Sequence, residues 1–304
     1  MDKRPIGIFD SGLGGLTVAD AVMAALPGES VLYFGDAARC PYGPRPRDEV
    51  RGFVLQVGEW LSHHDVKMIV VACNTGTAAG LKAAQRTFDV PVIGVIEPGA
   101  RAAVTATRNR RVGVIGTVGT IESGAYSTAV RALDEGVTVY SIATPRFVEL
   151  VEAGLRMDSG TLEDWFADAS DVFIRPAFYE MARDYLDPLK RNGVDTLVLG
   201  CTHFPLLSTA IGQVMGPEVR LISSAQETAR QVGDWLESRG QLSDPTTRPV
   251  HTFATTGDPD EFARFGSRVL RRPIARVASV SVAELEGLRI PVPGTIDQED
   301  VPCE

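Results

Sequence analysis

Two cysteines occupy matching places in the chain, each directly after a short apolar run. Residues 66–72 lead into Cys73, and residues 194–200 lead into Cys201. A single cysteine in such a position is usually a small buried apolar residue, but two equivalent cysteines, each followed by polar residues, favour a chemical role. A thiol has an ordinary pKa of about 8.5, which a helix N-terminus or a nearby cation lowers. The pair is therefore suited to removing and delivering protons.

Two thiols facing each other across a cleft suit the inversion of a carbon stereocentre. One thiolate removes a proton from one face of the carbon, the opposite thiol delivers a proton to the other face, and the roles exchange in the reverse direction. Pyridoxal phosphate would instead require a lysine for its Schiff base. No lysine follows a predicted strand beside the polar cluster, the four being Lys3, Lys67, Lys82 and Lys190. The residues therefore predict chemistry without a cofactor, and the cysteine spacing indicates no metal site.

Other predicted strand ends carry polar residues too. In parallel α/β sheets, ligands bind beyond the carboxyl ends of the strands, where helix N-termini attract anions. A carboxylate substrate fits this edge of a protein that is acidic overall. The polar residues at these positions are Asp10, Ser11, Asn74, Thr75, Thr117, Thr120, Thr202 and His203.

Some of these residues also have a purely structural explanation. Asp10 could cap a helix, and His203 could be a hydrogen-bonded structural imidazole. The segment Gly12-Leu13-Gly14-Gly15 differs from the GxGxxG pattern of nucleotide sites. It predicts a tight turn and a close approach of the backbone to other atoms.

The chain contains an internal repeat of four apolar runs in the same order. The offset between the halves is 106 residues for the first two runs, 128 for the third and 129 for the fourth. The second half therefore contains an insertion of about 22 residues, for which residues 157–179 are the candidate. The matched ranges are 6–11 with 112–117, 31–33 with 137–139, 66–73 with 194–201 and 90–93 with 219–222.

The runs and the segments between them predict the fold class. Short, nearly continuous apolar runs are typical of strands buried on both faces of a parallel sheet, and helical patterns separate them, as at 16–25, 48–63 and 77–87. We expect an α/β protein of two similar domains, each with a central parallel sheet flanked by helices. A pseudo-twofold axis would relate them and place the active site between them. A chance likeness of βα units is the alternative.

The expected domain boundaries follow from the repeat. Residues 1–96 and 224–290 form the first domain, which carries Asp10 and Cys73, and residues 97–223 form the second, which carries Cys201 and His203. The elements after residue 223 have no recognised counterpart after residue 95, so they are expected to return to the first domain. The polar tail, 291–304, is expected to be disordered.

Composition narrows the possible partners. The 304-residue chain has a formal net charge of −9 and a pI of about 5.1, which argues against binding to nucleic acid or to an anionic membrane. It contains no apolar signal core and no run long enough to span a membrane. Cysteines without a disulfide or metal pattern suit a reducing cytoplasm.

Eight segments of the sequence resemble glutamate racemases. The match runs in order from residue 6 to about residue 270. The resemblance implies a cytoplasmic, cofactor-free isomerase, expected to be a homodimer, that interconverts L- and D-glutamate for peptidoglycan synthesis. The segments are IGIFDSGLGGLTV (6–18), YFGDAARCPYG (33–43), VVACNTGTA (70–78), GVIEPGA (94–100), GVIGTVGTIESGAY (113–126), FVELVEAG (147–154), LVLGCTHFPLL (197–207) and ATTGDPDEF (254–262).

The resemblance also implies roles for individual residues. Cys73 and Cys201 match the acid/base pair, with Asp10 assisting the first and His203 the second. In this family pattern Cys73 deprotonates D-glutamate and Cys201 deprotonates L-glutamate. The remaining matches to substrate-binding or pocket-lining positions are Ser11, Tyr42, Gly43, Asn74, Thr75, Thr117, Thr120, Glu152 and Thr202.

The sequence departs from the family pattern at two places, and two other functions are compatible with it. Gly76 stands where alanine is commoner, and residues 157–179 look longer than the family's connection. An aspartate or hydantoin racemase would share the two-cysteine plan. A two-domain amino-acid-binding protein without catalysis is the alternative from another class.

Overall fold

The computed structural model describes residues 2–156, 176–244, 246 and 248–290. The proposed insertion at 157–179 lies outside the described residues except for 176–179, which begin a helix. The proposed disordered tail, 291–304, lies outside them entirely.

Two parallel sheets organise the chain. The first has the strand order β10-β9-β2-β1-β3-β4 and the second the order β6-β5-β7-β8. All pairings are parallel. The strands are β1 (Ile6–Asp10), β2 (Val31–Gly35), β3 (Met68–Val71), β4 (Val92–Gly94), β5 (Arg111–Gly116), β6 (Thr138–Ala143), β7 (Thr196–Gly200), β8 (Arg220–Ser223), β9 (His251–Thr255) and β10 (Val277–Ser279).

Helices connect the strands and cover the sheets. Short 3₁₀ turns at Ala37–Arg39 and Phe204–Leu207 lie beside the carboxyl ends of β2 and β7. The helices are α1 (Leu16–Ala25), α2 (Arg47–His63), α3 (Asn74–Thr87), α4 (Ile96–Ala106), α5 (Val118–Glu122), α6 (Ala125–Leu133), α7 (Pro145–Arg156), α8 (Pro176–Arg191), α9 (Ser208–Met215), α10 (Ser224–Ser238), α11 (Pro259–Leu270) and α12 (Val282–Glu286).

The central strands are buried because helices cover both faces of each sheet. Every residue of β1, β2, β3 and β7 is buried, which explains their continuous apolar sequences. Strand β6 lies at the edge of the second sheet and is half-exposed, with polar residues such as Thr138 and Ser141. Burial on both faces thus sets the composition of each strand.

The internal repeat is confirmed by the topology. The order β2-β1-β3-β4 in the first sheet matches β6-β5-β7-β8 in the second, and the paired strands are those aligned in the sequence. The predicted two-domain α/β class is therefore confirmed. Strands β9 and β10 extend only the first sheet, on the outer side of β2.

One part of a sequence expectation was wrong: the first helix after β8 has a counterpart, whereas β9, α11 and β10 have none and return to the first sheet as expected. Helix α10 follows the last strand of the second repeat, and α4 follows the last strand of the first. Helix α10 packs on α1, which connects strands of the first sheet, whereas α4 packs on α6 of the second. The two helices also pack on each other. Because the two helices pack against different helices, their sequences have diverged, and the sequence comparison did not show that they are equivalent.

This exchange of helices joins the two domains. The last helix of each repeat packs against the sheet of the other repeat. The chain therefore passes between the two sheets at the place where α4 and α10 pack on each other. On this basis we propose domain boundaries after residues 96 and 223. None of the helices in the described part of the chain has the length and hydrophobicity that a membrane crossing requires.

A buried ion pair lies near the amino-terminal ends of β2 and β3. Lys67 Nζ lies 2.6 Å from Glu29 Oε2, and both side chains are almost fully buried. The ammonium also donates hydrogen bonds of 2.9 Å to the carbonyl oxygens of Asp2 and Gln241. Ser243 donates to Glu29 at 2.9 Å. The pair therefore fixes the N-terminus and the segment after α10 beneath the first sheet.

Candidate active site

The polar residues predicted at strand ends converge at the carboxyl edges of both sheets. Asp10 is the last residue of β1, Cys73 follows β3 by two residues, and Cys201 directly follows β7. Strands β1 and β3 are neighbours in the first sheet, as are β5 and β7 in the second. Equivalent edges of the two sheets thus contribute one cysteine each.

Cys73 occupies the N-cap of α3. The backbone N–H of Gly76 donates to its sulfur at 3.3 Å, and the sulfur lies 3.8 Å from Ser11 Oγ. Burial and the charge of Asp10 raise the pKa of the Cys73 thiol to about 12, against the opposing hydrogen bonds that Cys73 makes with Gly76 and Ser11. Cys73 is therefore a thiol that holds its proton at neutral pH.

Cys201 has a different neighbour, an imidazole. His203 Nδ1 lies 3.6 Å from Cys201 Sγ, and His203 Nε2 lies 2.6 Å from Glu152 Oε1. Burial works against the charged ring, but the hydrogen bonds to Cys201 and Glu152 raise the pKa of His203 well above its ordinary value. A protonated imidazole beside the sulfur stabilises negative charge there.

Asp10 is fully buried. Its carboxylate accepts hydrogen bonds from the backbone N–H groups of Gly12 (3.0 Å) and Gly15, and from Thr202 Oγ1 at 3.4 Å. Burial raises the pKa of Asp10, opposed by the positive charge of His203 and by these hydrogen bonds. Asp10 therefore acts on Cys73 through its charge, while Thr202 links it to the second domain.

The glycine-rich turn after β1 allows close contact between the domains. A Cβ atom on Gly14 would lie 2.5 Å from Thr202 Oγ1 and 2.7 Å from His203 Nδ1. A Cβ atom on Gly15 would lie 2.4 Å from Asp10 Cβ. Real Cβ atoms essentially never approach this closely. Both glycines are therefore required by the packing of Asp10, Thr202 and His203.

A cluster of threonine hydroxyl groups lies beside the cavity. Thr75 Oγ1 lies 2.9 Å from Thr117 Oγ1 and 3.2 Å from Thr120 Oγ1. Next to them, the backbone N–H of Gly119 donates to the carbonyl oxygen of Gly43 at 2.9 Å. These contacts join residues near the first sheet to residues near the second, so they hold the domains together over the site.

The cavity lined by both cysteines measures about 20 Å³. Such a volume holds roughly one water molecule, so the cleft must widen to admit an amino acid. Of the residues predicted for the site, Asp10, Thr120 and Glu152 lie behind the cavity walls. The described wall residues are Ser11, Cys40, Pro41, Tyr42, Gly43, Cys73, Asn74, Thr75, Thr117, Val148, Cys201, Thr202 and His203.

Sequence reasoning missed three of these wall residues. Cys40 and Pro41 directly precede the predicted Tyr42-Gly43 pair, so the same loop carries them to the cavity. Val148 lies on α7 four residues before Glu152, one helical turn away on the same face. The helical spacing within the FVELVEAG segment was the signal that could have found Val148.

Tyr42 is held from outside the cavity. Its hydroxyl donates to Asp36 Oδ2, which also accepts a 2.7 Å hydrogen bond from Arg39 Nε. Asp36 and Tyr42 are almost completely buried. Because the hydroxyl is engaged by Asp36, we infer that Tyr42 meets a ligand through its backbone. Among the described residues, no group of three or more His, Cys, Asp or Glu side chains is arranged to hold a metal ion.

Comparison with known proteins identifies the family. The family model described as Asp/Glu/Hydantoin racemase matches residues 16–232. The chain belongs to this racemase family. Its membership confirms the expected enzyme class, an isomerase.

Curated racemases and solved structures agree over nearly the whole chain. The glutamate racemase of Bacillus cereus is 45% identical over 91% of this chain and 97% of its own length. That of Corynebacterium diphtheriae is 47% identical over 91% and 98%. A glutamate racemase isoform of Bacillus anthracis superposes with a TM-score of 0.83 at 42% identity, covering 93% of this chain and 99% of that one. The Francisella tularensis glutamate racemase, solved with D-glutamate, gives 0.79 at 32% identity, covering 92% and 98%.

Proposed function

We propose that this racemase interconverts L- and D-glutamate, with Cys73 and Cys201 transferring protons on opposite faces of the α-carbon. The observation that carries the proposal is the placement of the two cysteines at equivalent strand ends of two repeated sheets, in the wall of one cavity. The identity of over 40% to glutamate racemases supports glutamate as the substrate.

The protonation of Cys73 indicates which residue acts as the acid at the start of the reaction. Cys73 has its pKa raised to about 12 and enters the reaction as the acid. His203 Nδ1 lies 3.6 Å from Cys201 Sγ, so the imidazole is placed to assist proton transfer at that sulfur. We infer that Cys201 removes the α-proton in this direction and that Cys73 donates a proton to the opposite face. By the family pattern this is the conversion of L-glutamate.

The reverse reaction needs the thiolate on Cys73. After one conversion of L-glutamate, Cys201 carries the proton taken from the substrate and Cys73 has lost its own. The α-ammonium group of D-glutamate brings a positive charge into the cavity, which helps to stabilise the Cys73 thiolate. The N–H of Gly76 and the N-terminus of α3 stabilise it further.

Several broader expectations belong to the same proposal. The described cysteines, Cys40, Cys73 and Cys201, are free thiols, which suits the reducing cytoplasm where D-glutamate would be supplied for peptidoglycan. We retain a homodimer and the absence of an organic cofactor as parts of the proposal. The aspartate and hydantoin alternatives differ from it only in substrate.

Circular dichroism of L-glutamate solutions tests the reaction directly. The purified protein should bring L-glutamate to an equal mixture of enantiomers, and in D₂O the D-glutamate formed should carry deuterium at the α-carbon. A higher kcat/KM for aspartate than for glutamate would identify aspartate as the substrate instead. Binding without deuterium incorporation would favour the amino-acid-binding alternative. Cys73→Ala and Cys201→Ala should each abolish racemisation, and a near wild-type rate in either would refute the two-base mechanism.

A further inference from the structure

A buried amide donor in the cavity wall has no partner in the described part of the chain. Asn74 is 2% exposed and lines the cavity. Its Nδ2 atom is buried and makes no hydrogen bond there. A buried donor without an acceptor is unfavourable, and a carboxylate oxygen is the acceptor that would satisfy it most strongly. In a residue that lines the cavity, this donor is available to a carboxylate ligand.

The orientation of this amide is set from the other domain. Tyr126, in the first turn of α6, donates its hydroxyl proton to Asn74 Oδ1 at 2.7 Å. An amide whose oxygen accepts this bond must turn its NH₂ group the opposite way. The hydroxyl of Tyr126 thus decides which end of the Asn74 amide is free for a ligand.

Tyr126 is itself fixed in the donor role. Its side chain is 2% exposed and packs near Gly99 and Gly200, whose added Cβ atoms would meet its ring or hydroxyl at 3.0–3.3 Å. Burial raises the pKa of Tyr126, against the opposing hydrogen bond from Ser224. The phenol therefore stays protonated and donates. Ser224 begins α10, so the pocket of Tyr126 is formed by residues of more than one element.

We propose that Tyr126 is a positioning residue that orients the Asn74 amide to donate to a carboxylate of the substrate. This inference rests on the proposed function, because it assumes a dicarboxylate in the cavity. The bond crosses between the two domains, so the orientation of the amide depends on a residue of the other domain.

The variant Tyr126→Phe removes the hydroxyl and keeps the ring. It should lower kcat/KM for L- and D-glutamate by about tenfold, equivalent to about 1.4 kcal/mol, mainly through a higher KM. The inhibition constant of glutarate, an achiral dicarboxylate, should rise by a similar factor. Tyr140→Phe, which removes a hydroxyl from the middle of β6, is the matched control and should leave both constants unchanged.

A double-mutant cycle separates positioning from general packing. If Tyr126 acts through Asn74, adding Tyr126→Phe to Asn74→Ala should change kcat/KM by less than about twofold. Full additivity of the two effects, or a Tyr126→Phe variant with unchanged kcat/KM, would overturn the inference. An inactive wild-type protein would instead refute the proposed function, since every comparison is made against wild-type turnover of glutamate.

Discussion

Replacing Gly14 by alanine should push Thr202 and His203 away from the glycine-rich turn after β1. The added Cβ atom would lie 2.5 Å from Thr202 Oγ1 and 2.7 Å from His203 Nδ1, whereas ordinary contacts begin near 3.4 Å. The neighbours must therefore retreat by close to 1 Å. His203 has little freedom to do so, because Glu152 holds its other nitrogen at 2.6 Å. The domains must separate, or the imidazole must leave Cys201.

A displacement of this size has a predictable catalytic cost. Misplacing a reacting group by about 1 Å can lower the rate by about 100-fold, which corresponds to about 2.7 kcal/mol of activation free energy. We expect kcat/KM of Gly14→Ala to fall by that factor for both enantiomers. The two values must stay equal, because the equilibrium constant between enantiomers is one. Circular dichroism of L- and D-glutamate provides both values.

Gly52→Ala is the matched control. Gly52 lies within α2, and a Cβ atom there would have no neighbour within 4 Å. The substitution should stabilise the protein by about 0.5–1 kcal/mol through helix propensity and leave turnover unchanged. If Gly14→Ala retained activity within about twofold of wild type while folding normally, the close packing at Gly14 would not matter to catalysis.

Three further predictions follow from the buried charges. Lys67→Met should lower the free energy of unfolding by about 3–5 kcal/mol in urea denaturation, because Glu29 is left buried and unpaired; a loss below about 1 kcal/mol would show that Glu29 is neutral or hydrated. Asp10→Asn should make proton transfer at Cys73 limit both directions, since the thiolate becomes a weaker base without the Asp10 charge. The α-deuterium isotope effect on kcat/KM should then grow for D-glutamate and shrink for L-glutamate, and equal effects would contradict the assignment of faces. The pKa of His203 is higher in the folded chain than its unfolded value of about 6.5. Its stabilising contribution is therefore complete below about pH 6.5 and lost as the pH rises through the folded value. Urea denaturation between about pH 6 and about pH 9 should show this decline in the wild type and not in His203→Asn.

The amino-acid sequence by itself determined the fold class and the location of the chemistry. Burial on both faces of a parallel sheet selects continuous β-branched runs, and this pattern is visible without any structure. The repeat of four such runs predicted two equivalent sheets, and the strand orders confirm it. The placement of Cys73 and Cys201 directly after matching runs indicated a site at the strand ends.

Local sequence patterns did not reveal which of two possible neighbours an element packs against. The equivalence of α4 and α10 was missed because each packs against the sheet of the other repeat, so their apolar faces match different surfaces. Cys40 gave no signal either, since a cysteine in a loop has no periodicity that reveals its neighbours. Its place in the cavity wall follows from the path of the loop before Tyr42.

Only the tertiary structure decided the electrostatics and the partners of the site. Glu152 and His203 are 51 residues apart, and Tyr126 and Asn74 are 52 apart, yet each pair shares one hydrogen bond. The raised pKa of Cys73 depends on burial and on Asp10, neither of which a sequence pattern measures. Hydrogen bonds and desolvation act over a few ångströms in space. The packing of the two sheets sets those distances, and separation along the chain does not.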